Sequence, residues 1–407
     1  MTQTSGGTRR PRLGPHYWRL WWANAVSSTG DGAFVAALPL LAVTISRDPR
    51  LVAVVTAAAY LPWMVLSLPA GALVDRYDRA TLMWRAQAVQ AAVVAAVAVL
   101  VVFRITSIAV LGLAGLLLGS AEVVFSNAAQ AVLPALVPPE LLARANGSQQ
   151  VSLTVGETFL GPPAGSLLFA AAAALPFGLD AASFAGSAAL LARLPRTSRS
   201  REAGQPEVTI RAQIAEGLRW LFRHRLLRVV AVLLGVFNFG NQMGQAVLVL
   251  LATQTLHVGT RGYGLLLAVT AVGSVAGGLV SPVVTRWLGL LPSLIIAGAL
   301  DAALFAGLGL APDAAVAALL LAGQGIAVTM WNVVTVSLRQ QVVPAGLLGR
   351  VNSVYRMLGW GLMPLGALAG GFVAHAAGLR APYVVAGLLC GLSMLAAVPL
   401  LLAAGRD

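Results

Sequence analysis

The chain has no lysine, a single cysteine, four histidines, and charged residues at only 10% of its 407 positions. Each shortage excludes something. With Cys390 alone there is no internal disulfide to form, and the thiol reads as a small packing group. His16, His224, His257 and His375 are too dispersed along the chain to suggest a metal site. No Gly-x4-Gly-Lys-Ser/Thr stretch is present, which removes ATP hydrolysis by this chain as an energy source. No nucleophile stands in a recognisable pattern with a base, so the sequence does not read as an enzyme or call for a cofactor. The charge deficit is the most telling, because a soluble domain carries roughly 25% charged residues. What fills the space is apolar: 58% of the residues are hydrophobic, with 43 glycines and 21 prolines. Apolar runs of about 20 residues recur along the whole length, each able to cross a hydrocarbon core of roughly 30 Å. The chain is a multi-spanning membrane protein.

The segmentation predicts twelve helical spans, at 17–45, 51–74, 82–103, 106–131, 145–170, 172–194, 226–254, 261–285, 289–310, 312–338, 347–377 and 380–404. Residues 1–16 form a polar, basic tail that is expected to be cytoplasmic. Residues 195–225 form a linker between 17–194 and 226–404, and its second part, Ile210 to Phe222, has the spacing of an amphipathic surface helix. The net charge of +13 comes from arginine alone, and it follows topology rather than a nucleic-acid patch. One side of the membrane collects Arg9, Arg10, Arg12, Arg19, Arg76, Arg79, Arg85, Arg144, the linker arginines, Arg286, Arg339, Arg350, Arg356 and Arg406. The other side holds only Arg47, Arg50, Arg104, Arg261 and Arg380. The positive-inside rule then places both termini in the cytoplasm of a cell-membrane protein. Trp18, Trp21 and Trp22 at the start of the first span read as interfacial anchors.

The two halves echo one another. Leu141-Leu142-Ala143-Arg144-Ala145-Asn146 returns as Leu347-Leu348-Gly349-Arg350-Val351-Asn352, an offset of 206. The same offset carries Gly71-Ala72-Leu73-Val74 onto Gly277-Gly278-Leu279-Val280, Gly119 onto Gly325, Pro138 onto Pro344 and Gly165 onto Gly371. A parallel repeat in a membrane chain is the pattern of secondary transporters, with a substrate path between the halves.

Three motifs give a sharper likeness. Gly71-Ala72-Leu73-Val74-Asp75-Arg76-Tyr77-Asp78-Arg79 resembles the loop signature of the major facilitator superfamily, although Asp78 stands where glycine is usual and Ala80 where a further basic residue is usual. The second half keeps the glycine but has Ser281-Pro282 in place of Asp-Arg. Gly156 with Gly161-Pro162-Pro163-Ala164-Gly165 resembles that superfamily's antiporter motif, with one extra residue between the first two glycines. Glu216-Gly217-Leu218-Arg219-Trp220, Arg223-His224-Arg225 and Gly349-Arg350-Val351-Asn352 are similar to the bacterial drug and siderophore efflux branch, which includes macrolide and enterobactin exporters. The resemblance runs from residue 17 to 404. It implies an all-α fold of twelve transmembrane helices in two pseudo-symmetric six-helix bundles. It also implies a conformational gate of Gly71, Asp75, Arg76, Arg79, Gly161, Pro162, Gly165 and Arg350, with Asp75 latching onto the helix start near Gly349-Arg350. Prolines in span five bend it and glycines allow close approach, and Gly273, Gly277 and Gly278 of span eight are expected to form the facing surface of a seam between halves.

Carboxylates inside a membrane are costly and mark function by default. Asp31 and Glu122 fall near mid-depth of spans one and four, which in the superfamily arrangement line the central cavity, so both are candidates for proton coupling, with Glu157 behind them. The plainer alternative for each is a neutral, hydrogen-bonded wall group. Asp180 is expected to cap a helix near the outer surface, and Asp301 to have a structural partner. Substrate contacts are expected from Phe237, Asn238, Asn241, Gln242 and Gln245 on span seven and Gln324, Trp331 and Asn332 on span ten; the same amides could instead join helices. The leading reading is a monomeric, proton-coupled exporter of amphipathic small molecules working by alternating access in the bilayer. Uptake or facilitated diffusion, lipid translocation and a non-transporting sensor remain as alternatives.

Overall fold

Local chemistry sets most of the helix ends. The structure is a computed structural model that describes residues 13–195, 210–344 and 347–404, and within these the side chains of Asp75 and Arg350 lie outside the described residues. The helices are α1 (Pro15–Ile45), α2 (Pro49–Arg76), α3 (Arg79–Val102), α4 (Ile108–Leu136), α5 (Leu142–Leu153), α6 (Gly161–Ala171), α7 (Leu175–Leu191), α8 (Ile210–Arg223), α9 (Arg225–Gln245), the short α10 (Leu248–Leu250), α11 (Thr260–Leu288), α12 (Leu290–Leu310), α13 (Ala314–Val342), α14 (Leu348–Gly361), α15 (Met363–Ala377) and α16 (Ala381–Ala404). Side chains cap several N-termini, supplying acceptors to backbone donors that the first turn leaves free. Asp78 accepts from Thr81 N at 2.8 Å, Asp313 from Val316 N at 2.9 Å and Ser107 from Val110 N at 3.3 Å. Gly289 (φ 85°) separates α11 from α12, and Gly378 (φ 90°) closes α15, at backbone angles that side chains resist.

Within the spans, hydroxyls turn inward on their own helices. Thr253, Thr270, Ser281 and Ser337 each donate to the carbonyl four residues earlier, which satisfies them where no water is at hand. Large apolar side chains such as Val35, Leu279, Leu319 and Leu392 point outward, as a lipid-facing surface requires.

Among the described residues, ten helices are long and apolar enough to cross a membrane. The expected fifth span is interrupted: α5 is polar, and a π-helical segment, Thr154–Leu160, joins it to α6. The reason lies in Pro162 and Pro163, which carry no N–H, while Gly161 N bonds back to Gly156 O across the wider π turn. The expected sixth span is α7, an apolar helix of 17 residues. The expected linker falls partly outside the described residues; its described part is α8, which packs on α14.

The packing is duplicated. Helix α2 lies on α4 and α11 on α13; α1 and α3 flank α7 as α9 and α12 flank α16. Across the middle, α2 meets α15 and α6 meets α11. The buried cores divide unequally along the long axis. At the end holding Asp48, one continuous core joins both groups of helices, from Leu40, Val52 and Phe177 to Met243, Phe305 and Tyr383. At the end holding Asp78 there are two cores, one around Leu20, Met83 and Phe125, the other around Leu227, Val334 and Tyr355.

Candidate functional site

Among the described residues, a cavity opens inside the helices of each half. The first has a volume of about 130 Å³ and is lined by Asp31 and Phe34 of α1, Ala59 and Trp63 of α2, Gln90 of α3, Leu118, Gly119 and Glu122 of α4, and Asp180 and Phe184 of α7. Glycines create it. A side chain at Gly30 would collide with Asp180 Oδ1 and Ser183 Oγ, so the missing Cβ lets α7 bring its carboxylate against α1. Gly119 lies against the backbone of Ala59 in the same way. Gln90 Nε2 donates to Glu122 Oε2 at 3.2 Å, and Ser183 Oγ donates to the Asp180 carbonyl at 2.8 Å. Asp31 interacts electrostatically with Asp180, Glu122 and Glu157, and among the described residues no basic side chain lines the cavity.

Asp31 and Glu122 thus share one cavity, but not a central one: every lining residue belongs to the first half. Asp180 also differs from expectation. It is 1% exposed, inside α7, and lines this cavity instead of capping a helix near the surface. Its place at the head of the expected sixth span, near the outer surface, reads as a cap, and nothing in one sequence signals that Gly30 makes room for it. Glu157 projects from the π segment into open space, outside the cavity lining.

The second cavity is larger, about 460 Å³, and is lined from α9, α12, α13, α14 and α15. Phe237 and Trp331 stack with ring centroids 4.8 Å apart and planes 10° from parallel. Asn238, Asn241, Asn332 and Thr335 supply polar groups. The guanidinium of Arg339 lies 4.6 Å from the centre of the Tyr355 ring and donates to Thr335 O at 3.3 Å. Asp301 faces Gln324 from α12 and also lines the cavity. The indole N–H of Trp331 and Asp301 Oδ1 are buried without a hydrogen-bond partner.

Five of the eight residues proposed as substrate contacts line this cavity: Phe237, Asn238, Asn241, Trp331 and Asn332. Three do not. Gln242 is buried against Tyr60 of α2, Gln324 sits behind Asp301, and Gln245 lies toward the end of α9. Sequence reasoning missed Arg339, Tyr355 and Trp360, and placed Arg339 among the topology-setting arginines. A cation within the last turns of a span, one helical stretch before an aromatic-rich segment, was the available signal. The two cavities meet at a pair of rings: Trp63 of the first and Trp360 of the second have centroids 4.1 Å apart.

A family described as transmembrane secretion effector matches residues 11–405. The chain belongs to that family. It is therefore a major facilitator superfamily transporter and not an enzyme. Among curated proteins it is similar to the multidrug efflux pump Tap of Mycobacterium tuberculosis, with 29% identity over 238 residues, 55% of each chain. It is also similar to an uncharacterised MFS-type transporter of the same species, with 32% identity over 159 residues, 37% of this chain and 36% of that one. The matched stretch spans about half the length of these relatives or less. In fold it is similar to the nucleoside transporter NupG, with a TM-score of 0.74 at 13% identity over 95% of this chain and 99% of that one. A bacterial homologue of the iron transporter ferroportin in its inward-facing state gives a TM-score of 0.71 at 16% identity over the same shares.

The motif residues of this chain are distributed unevenly. Arg79 donates to Ala131 O at 2.8 Å, tying the start of α3 to the last turns of α4, while Arg76 is exposed and Gly71 has open space around it. The proposed contact between Asp75 and Arg350 falls on side chains outside the described residues. Gly161 and Gly165 pack against Gly32 and Ala33 of α1, not against α11. Likewise Gly273 and Gly277 pack against Ala322 and Ile326 of α13. The expected seam between spans five and eight is therefore built otherwise, from Gly264 of α11 against Ser166 and Pro163 of α6. The small residues named from the sequence serve contacts within each half, where helices cross most closely.

Proposed function

We propose that this protein is a proton-coupled exporter of amphipathic small molecules, drug-like or siderophore-like, built as twelve transmembrane helices in two six-helix bundles that alternate access to a site between the membrane faces. The observation that carries the reading is the uneven core: the halves share one core at the Asp48 end and keep separate cores at the Asp78 end. Two rigid halves hinged at one end are what a rocking transporter needs. Arginine bias assigns the separated end to the cytoplasm, so this conformation opens inward with both termini cytoplasmic. The duplicated helix packing supports the two-bundle reading.

The cavities suggest a division of labour. At 460 Å³ the second lies within the roughly 300–1,000 Å³ range of small-molecule pockets, and it offers stacked rings, amides and charges of both signs. The first is too small for such cargo and holds acids that a membrane tolerates only with a purpose, at about 2.5–3.5 kcal/mol each on insertion scales. Asp31 and Glu122 are assigned to proton exchange, with Glu157 at the open face. Likeness to an efflux pump and the span-five motif favour export over uptake.

The test is transport in proteoliposomes carrying the full chain, with an imposed pH gradient and a chemically varied panel of cations, neutral aromatics and metal-free siderophores. Export that rises at least several-fold with an opposing proton gradient is expected for some amphipathic compounds. Transport that ignores the gradient, or runs only inward, would sink the reading.

A further inference from the structure

Among the described residues, one acidic and one basic side chain line the second cavity, and the two are not equivalent. Asp301 is 5% exposed and turned to Gln324. Arg339 is only partly buried and has no carboxylate partner among the described residues. Its hydrogen bond goes to Thr335 O at 3.3 Å and its ring contact is with Tyr355. A guanidinium stays charged throughout the physiological range, and a cation inside a protein is unfavourable without a counter-charge. An anion entering the cavity supplies that partner.

Val328, Trp331, Thr335 and Arg339 follow at three- and four-residue steps, so they share one face of α13. Arg339 starts about 12 Å along the axis from Trp331, at 1.5 Å per residue. Its Nε reaches back one turn to the Thr335 carbonyl, so the side chain leans toward the stacked Phe237 and Trp331 rings. Tyr355 covers a flat face of the guanidinium at 4.6 Å, and its own hydroxyl is fixed by donating to Leu227 O at 2.6 Å. Contact on the flat face leaves edge N–H groups for acceptors in the guanidinium plane, which is how a carboxylate meets arginine with two parallel bonds. Taking the second cavity as the cargo site, as under the proposed function, we infer that its cargo is an aromatic compound carrying a carboxylate or similar anion, with the ring at Phe237 and Trp331 and the anion at Arg339. Cationic compounds are selected against, because Arg339 repels them while Asp301 is closed off from the cavity. If Arg339 served membrane topology alone, binding would show no preference for charge.

The experiment is equilibrium dialysis of matched probes against the purified full chain in nanodiscs at neutral pH. Naphthalene, quinoline and biphenyl each carry, on the same short arm, a carboxylate, its methyl ester or a primary amine. In the wild-type protein the acid should bind at least tenfold more tightly than the ester on at least one frame, and the amine most weakly. Arg339→Gln should bring the acid-to-ester ratio down to about one, and Arg339→Lys, which keeps the charge but not the fork, should retain part of it. Equal binding of acid and ester, tighter binding of the amine, or no binding of any probe overturns the inference, and this wild-type ranking stands even if Arg339→Gln fails to insert. An acid preference that survives unchanged in Arg339→Gln overturns it as well. Trp331→Ala reports on the underlying reading separately. If it leaves every probe's affinity unchanged, the second cavity is not the cargo site; if it weakens all three classes without an acid preference in the wild type, only the anion assignment fails.

Discussion

The first-half cavity holds 130 Å³ lined by three carboxylates and one amide, and the second holds 460 Å³ lined by stacked rings, several amides and one opposed pair of charges. Both arise from the same packing pattern, yet their chemistry has diverged. Small residues explain the first: Gly30 and Gly119 draw α7 and α2 inward and leave little room. Bulk explains the second, where Phe237, Trp331, Tyr355 and Trp360 prop the helices apart. The duplicated packing thus carries two cavities of different size and chemistry, which meet at Trp63 and Trp360.

The largest expected effect separates the two cavities directly. Asp31→Asn should reduce gradient-driven efflux by more than tenfold while leaving equilibrium ligand binding in the second cavity within about threefold. Parallel transport and binding assays on one preparation check it. If binding falls in step with transport, the two cavities act as one site and the comparison fails. Next in size, Trp331→Ala removes one ring of the stacked pair. Aromatic pairs contribute about 0.5–1.5 kcal/mol beyond their area, so with the lost contact area ligand affinity should drop about tenfold. Unchanged affinity would move the cargo site away from the second cavity.

How much of this is legible in the sequence depends on the kind of contact involved. Span positions and the mid-depth of Asp31 and Glu122 follow from apolar length, while their pairing is what the family resemblance implies. The fifth and sixth spans are harder, because α5 is polar and α7 has only 17 residues. Partners of small residues are not legible: Gly161, Gly165, Gly273 and Gly277 face α1 and α13, and only the three-dimensional crossing decides that. Asp180 and Arg339 are misplaced by sequence reasoning for a similar reason. Each is judged there by its distance from a helix end, whereas its role is set by which neighbour lacks a side chain or offers a ring.

A smaller effect tests the corrected seam. Gly264→Ala places a methyl 2.6 Å from Ser166 Cβ, so α6 or α11 must shift, and a loss of about 1–3 kcal/mol is expected. Gly278→Ala meets only Thr329 Cγ2 at 3.9 Å and should raise stability by about 0.5–1 kcal/mol through helix propensity. Thermal unfolding of the two variants in nanodiscs decides between them. Equal destabilisation would restore Gly278 to the interface between halves.

The smallest effect concerns the rim outside the membrane, where Asp48 links the halves. Asp48 pairs with Arg50 at 2.8 Å and lies 3.7 Å from His375 Nδ1 on α15. Hydrogen bonds from the Arg50 side chain and backbone hold its carboxyl down at about 2, below the ordinary 3.8. Because the folded value is the lower one, the stabilisation from ionised Asp48 is complete above about pH 4 and disappears as the pH falls through about 2. Across the near-neutral range the group does not titrate, so under the proposed function a pH dependence of transport there is expected from the buried acids of the first half. Asp48→Asn should therefore lower thermal stability only slightly, as an exposed pair does, and by the same amount at about pH 5 and about pH 8. It should leave the midpoint of the transport-versus-pH curve in place. A midpoint that moves with this substitution would transfer proton sensing from the cavity to the rim, and the contrast between the two halves would lose its functional meaning.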